Sequence, residues 1–224
     1  MAFKIADGGL QRVFGLISGP AGIGKTTQLT TFPIEKTLGV SVEDGFLSIQ
    51  GSGFAYEEVK TYDEILSLVT NLKVTYPWVE YLYIDSLTEI YDVLKHELKH
   101  QFKPSQNFAK HEEMYDKLLH IIRVARQLDV NVFFTCHTKE DKDGLALVQN
   151  LAFDGKMPEM VKKQFDLCVH IDYVEIDGAR KRMFITNPEI SKVAKRRVSP
   201  WLNIEVQDYE EPNLFNLTQK LTGQ

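Results

Sequence analysis

Gly19-Pro20-Ala21-Gly22-Ile23-Gly24-Lys25-Thr26-Thr27 fits the pattern G-x-x-x-x-G-K-[ST], the phosphate-binding loop. The run before it, Arg12-Val13-Phe14-Gly15-Leu16-Ile17-Ser18, reads as a buried strand. The run after it, Thr26 to Thr31, can open a helix. That strand–loop–helix setting is what gives the motif physical meaning. Glycines let the backbone turn consecutive N–H groups toward a phosphate, and a helix N-terminus adds partial positive charge. Lys25 is placed to reach the β- and γ-phosphates of a nucleotide, and the Thr26 hydroxyl to ligate Mg²⁺.

A second signature lies downstream. Trp78-Val79-Glu80-Tyr81-Leu82-Tyr83-Ile84-Asp85 reads as a strand with an acid at its end. A carboxylate at such a tip, beside a phosphate loop, holds Mg²⁺ directly or through water, so Asp85 joins Thr26 as a candidate metal ligand. Thr37-Leu38-Gly39-Val40-Ser41-Val42-Glu43 is another strand ending in acids, Glu43-Asp44. Its carboxyl end is where open α/β sheets keep their chemistry.

The remaining chain fills in an α/β pattern. Residues 46–56 read as a loop, and Tyr62 to Leu72 as a helix with apolar residues at 65, 66, 68, 69 and 72. Helices are expected near Leu87–Phe102 and His111–Leu128, separated by the polar loop 103–110. Val130 to Cys136 is a strand ending at His137, followed by a long connection over 138–165 in which Met160 to Phe165 reads as a short helix. Two apolar runs flanking Asp177-Gly178 predict a terminal hairpin. Trp201 to Val206 reads as a last strand, Asn213 to Leu221 as an amphipathic tail, and Phe3 and Ile5 as an edge strand or a docking segment. No linker or repeat divides residues 1–224, so one domain is expected, with its core at about residues 12–206.

Composition sets limits. Of 224 residues, 43% are hydrophobic, enough for a sizeable core. Lys and Arg number 26 against 31 Asp and Glu, a net charge of −5, so any nucleic-acid contact must come from local basic loops. The two cysteines, Cys136 and Cys168, sit in apolar runs and read as buried thiols of a reducing compartment. No apolar run approaches a membrane span and no signal-peptide core is visible, so a cytoplasmic protein is expected.

The order of signatures resembles the RecA-like P-loop NTPase core: a mostly parallel sheet flanked by helices, with a C-terminal antiparallel hairpin. Phe32-Pro33, Glu43-Asp44-Gly45, Ile84-Asp85-Ser86 and Lys195-Arg196-Arg197 are together similar to the compact, mostly phage-encoded RecA-like ATPases that act as single-strand annealing recombination proteins. The resemblance implies ATP and Mg²⁺ as cofactors and single-stranded DNA as a partner. It also implies a homo-oligomer, ring or filament, and a single-strand DNA-binding protein as a possible accessory. It makes Glu43 the carboxylate that polarises the attacking water, with Asp44 competing, and His137 a sensor of the γ-phosphate where the family often has Gln. Residues 138–165 become the DNA loop, with 103–110 as a second. Lys103, Lys110, Lys139, Lys142, Lys156, Lys162 and Lys163 become backbone contacts, with Phe108 and Phe153 as stacking candidates. Lys195 and Arg197 become the pair that reaches a neighbour's nucleotide.

Three other readings compete. Thr138-Lys139-Glu140-Asp141 fits the guanine-reading pattern [NT]-K-x-D of GTPases, but Asp85-Ser86-Leu87-Thr88 lacks their Asp-x-x-Gly. A nucleotide or small-molecule kinase would need a lid in place of the terminal hairpin and basic segment. A DNA assembly module that binds ATP and hardly hydrolyses it differs from an ATPase in lacking DNA-stimulated turnover.

Overall fold

The computed structural model describes residues 12–42, 45–99, 101–143, 146–197 and 204–223. Strand β1 (Phe14–Gly19) is buried along its whole length, with Phe14 and Leu16 facing one side of the sheet and Val13 and Ile17 the other. That is the signature of a central parallel strand covered on both faces. Its neighbours are β5 (Asn131–Asp143) and β7 (Leu167–Ile176), both parallel to it. Beyond β5 follow β4 (Tyr81–Asp85), β2 (Thr37–Ser41) and β3 (Ala55–Glu58), all parallel. On the far side, β7 turns back into β8 (Ala179–Ile185), which pairs antiparallel with the short β10 (Tyr209–Glu210). The short β9 (Lys195–Arg196) pairs antiparallel with β7. The fold is therefore an α/β P-loop core with a mostly parallel sheet and a C-terminal antiparallel hairpin.

One face of the sheet is covered by α1 (Tyr62–Thr75), α2 (Leu87–Glu97), α3 (Asn107–Arg126) and α4 (Met157–Gln164). Ile65, Val69, Leu72, Ile90, Leu94 and Leu118 are fully buried there, each stabilising by roughly 1.5–3 kcal/mol relative to exposure. A capping box starts α1: Glu64 N donates to Thr61 Oγ1 at 3.3 Å and Thr61 N to Glu64 Oε2 at 3.2 Å. The opposite face is covered by short 3₁₀ helices and by α5 (Leu214–Thr222), through Leu29, Phe46, Leu214, Leu217 and Leu221. The α5 N-terminus rests on the segment after the phosphate loop: Leu214 N donates to the Gln28 side chain at 3.2 Å and Phe215 N to Thr31 Oγ1 at 3.2 Å.

Several expectations change. The segment after the loop is a six-residue 3₁₀ helix, Thr26–Thr31. Its threonines return their hydroxyls to carbonyls three residues back, Thr27 to Gly24, Thr30 to Thr27 and Thr31 to Gln28, which favours the tighter helix; the Phe32-Pro33 step then ends it. Residues 46–56 are more than a loop: a 3₁₀ turn Gly45–Ile49 leads into β3, an exposed edge strand whose Ala-Tyr-Glu-Glu has no apolar alternation to betray it. Helix α3 begins at Asn107, because Pro104 opens a 3₁₀ turn that runs into it; 103–110 is thus mostly helical. The largest correction concerns 138–165. Strand β5 continues to Asp143 and pairs antiparallel with β6 (Ala146–Leu151), forming an arm, and α4 follows. Ile204 to Val206 form no strand, and the rest of that expected strand, like Phe3 and Ile5, lies outside the described residues. Among the described residues no helix is long and apolar enough to cross a membrane. Burial pushes the thiols of Cys136 and Cys168 up to about 11 and about 12, so both are inert at neutral pH.

Candidate nucleotide-binding site

The site forms where β1 and β4 end on either side of β5. Register sets Gly19 against His137 and Ile17 against Thr135, while Asp85 closes β4 one strand further on. Side chains two apart on a strand share a face, so Thr135 and His137 point the same way, as do Tyr83 and Asp85. The loop after β1 then threads across these four. Gly22 and Gly24 adopt φ of 72° and 96°, conformations that L side chains rarely take, and a methyl group on Gly22 would meet only open space.

Lys25, only 5% exposed, donates from Nζ to Gly19 O at 3.0 Å and Pro20 O at 2.8 Å and lies 3.2 Å from His137 Nδ1. An ammonium has no acceptor, so Nδ1 accepts and the His137 ring carries its proton on Nε2. His137 N donates to Thr88 Oγ1 at 2.8 Å, which fixes the residue from α2. Tyr83 OH donates to Lys25 O at 2.6 Å and pins the loop from beneath. Asp85, 2% exposed, accepts the Thr26 hydroxyl at 2.5 Å on one oxygen and the Thr135 hydroxyl on the other.

These residues suit a Mg²⁺–nucleotide. Mg²⁺ keeps several waters and takes one or two protein oxygens together with phosphates, and the adjoining Thr26 and Asp85 oxygens are such a pair. Lys25 and the N–H groups of residues 19–27 would hold phosphate oxygens. Such a group would supply a phosphoryl centre whose developing charge Lys25 and the loop N–H groups could neutralise. The six-residue 3₁₀ helix contributes little dipole, so the work falls on Lys25 and the loop backbone.

Of the other candidates from sequence, Glu43 and Asp44 lie outside the described residues. Lys195 does not join the cluster. Its ammonium donates to Lys162 O, Lys163 O and Phe165 O at 3.0, 3.2 and 2.6 Å, closing the C-terminus of α4, where a cation satisfies orphan carbonyls. Arg197 is more exposed, with Nη1 3.4 Å from Asp166 Oδ1. Arg196 donates to Val206 O at 2.7 Å. The guanine-reading pattern dissolves into the arm: Lys139 and Asp141 lie in the β5–β6 ladder, and Asp141 accepts from the Asn150 amide at 3.3 Å. Sequence reasoning missed Tyr83, Thr135 and Thr88. For the first two, the period of two counted back from Asp85 and His137 was the available signal.

Burial, then the Lys25 charge, lowers the His137 pKa below its ordinary 6.5. Burial does the same to His170, whose Nδ1 lies 3.4 Å from Ser18 Oγ. The unfolded chain therefore takes up protons first. Stability is complete above pH 6.5 and is lost as pH falls toward the folded-state values. The acid limb of folding stability should therefore begin near pH 6.5, and His137→Gln should shorten it; an unchanged limb in His137→Gln, measured as the thermal unfolding midpoint against pH, would exclude His137 as a contributor.

The fold and the cluster at residues 19–27, 85 and 137 define a P-loop nucleotide-binding domain. A protein-family model described as an AAA domain, AAA_24, matches residues 12–198. The chain belongs to that family, and its core is a nucleotide-binding domain of the ATPase type. No curated protein sequence matches it.

Proposed function

We propose that the chain hydrolyses ATP with Mg²⁺ at a site completed by a neighbouring copy, and that it uses this cycle to bind and anneal single-stranded DNA, as recombination requires. The observation that carries the reading is β5. It runs without interruption from Thr135 and His137, beside Lys25 and Asp85, into the arm at Thr138–Asp143. A change in what Lys25 and His137 hold therefore acts directly on the base of the arm. Lys139 and Lys142 lie exposed on the arm, Lys156 at the start of α4 and Lys163 in its last turn. Phe108 is 84% exposed at the start of α3, as a base-stacking side chain needs to be, whereas Phe153 is buried and drops out. Lys162 is engaged with Glu159 and Lys192 O. For the neighbour's site, Arg197 is the better candidate of the basic pair, since Lys195 is held by three carbonyls.

The test is steady-state ATP hydrolysis at low salt, with and without single-stranded DNA, for the wild type and Arg197→Ala. DNA should raise the rate severalfold, the stimulation should fall steeply with added salt, and Arg197→Ala should lose it. Hydrolysis indifferent to DNA would overturn the DNA reading. Full activity in Arg197→Ala would overturn the shared site.

A further inference from the structure

We propose that Arg182 is an arginine of the nucleotide site supplied in cis, contacting the phosphates of ATP from the chain's own hairpin. The inference rests on the nucleotide-binding reading and adds to it a residue on the side of the loop opposite Asp85. Strand β7 pairs with β1 up to Ser18 and His170, and then continues past the point where β1 gives way to the phosphate loop. Register places Arg182 on β8 opposite Tyr173, in this overhanging part. Its side chain crosses to the loop. Nη1 donates to Ile23 O at 3.3 Å, and a methyl group built on Gly24 would lie 2.6 Å from the same nitrogen. The guanidinium thus stands over Gly24, next to Lys25, while Asp85, Thr135 and His137 approach from the β4–β5 side.

The charge environment separates Arg182 from all the other arginines but Arg123, which lies exposed on α3. Arg12, Arg126, Arg196 and Arg197 each face a carboxylate, from Asp129, Asp166, Asp208 and Asp166 respectively, and Arg180 stacks 4.7 Å over the Tyr173 ring. Among the described residues Arg182 has no carboxylate and no hydrogen bond besides the one to Ile23 O. One neutral carbonyl is a poor match for a planar cation with five donors. A row of phosphate oxygens is a good one. In a chain of net charge −5, a cation held over an anion-binding loop raises the local affinity for a triphosphate.

The experiment is calorimetric titration of the full chain with ATP, at several salt concentrations, for the wild type, Arg182→Ala and Arg182→Lys. Arg182→Ala should weaken ATP binding about tenfold and flatten its salt dependence, and Arg182→Lys should recover part of both. The midpoint of thermal unfolding should be unchanged, because the side chain is exposed. Equal affinity in the wild type and Arg182→Ala overturns the proposal. So does a weakening with an unaltered salt slope, which would mark a distorted loop. An effect seen only at protein concentrations where copies associate would assign Arg182 to a neighbour's site and overturn the cis role. A wild type without affinity for ATP would remove the nucleotide-binding reading itself, and the inference with it.

Discussion

Replacing Lys25 by alanine should abolish ATP hydrolysis, lowering kcat by about a thousandfold or more, while the fold survives. Phosphoryl transfer spreads negative charge over oxygens that have little covalent help from protein, so a preorganised cation is the main resource. Lys25 is preorganised here. Its ammonium is nearly buried and is held by two loop carbonyls and the His137 ring, and its own carbonyl is pinned by Tyr83. The same facts predict tolerance of the substitution by the fold. Removing a buried cation also removes its desolvation cost, and Pro20, whose carbonyl is one of its two acceptors, is partly exposed, so water can replace the ammonium there. The midpoint of thermal unfolding should move by no more than about 4 °C, the shift expected for about 1 kcal/mol in a domain of this size. Hydrolysis within tenfold of the wild type in purified Lys25→Ala would disprove the assignment of this loop as the reaction site.

Asp85→Asn should be the second large effect, about a hundredfold loss of hydrolysis, accompanied by at least a tenfold rise in the Mg²⁺ concentration needed for half-maximal rate. The two Asp85 oxygens accept from Thr26 and Thr135, so the carboxylate is oriented before any cation arrives. Asparagine keeps the shape and one acceptor. Its amide can donate to whichever hydroxyl turns round, so the hydrogen bonds can largely be remade. The lost quantity is the negative charge that would neutralise Mg²⁺. A Mg²⁺ titration separates this from general damage: a lower rate with an unchanged Mg²⁺ midpoint would mean that Asp85 orients Thr26 and Thr135 and does not serve the ion.

Much of the parallel core was legible from local patterns. The hairpin at Asp177-Gly178 is an instance: both residues adopt positive φ, 56° and 73°, as the tight hairpin turn demands, and the flanking runs pair as expected. The segment 138–165 was not legible as an arm. Its outward strand, Lys139-Glu140-Asp141-Lys142-Asp143, is charged along its length and Lys139 to Lys142 are exposed, so hydrophobic periodicity has nothing to report there. Edge strand β3 was silent for the same reason. Lys195 shows the converse limit. Its spacing from Arg197 suggested a cation reaching outward, but burial and three carbonyls at the end of α4 claim it, and burial lowers its pKa.

The phosphate loop, the Asp85 tip and the hairpin turn were determined by sequence alone, because each is a demand on consecutive backbone angles or on residues at the end of one strand. Tertiary structure decided the company those residues keep. Strand β5 lies between β1 and β4, so Thr135 and His137 stand between the loop and Asp85; β7 lies on the other side of β1, so the overhanging hairpin brings Arg182 onto Gly24. Strand order is set by how helices pack across the sheet, a long-range energy balance that leaves no trace in any short run of residues.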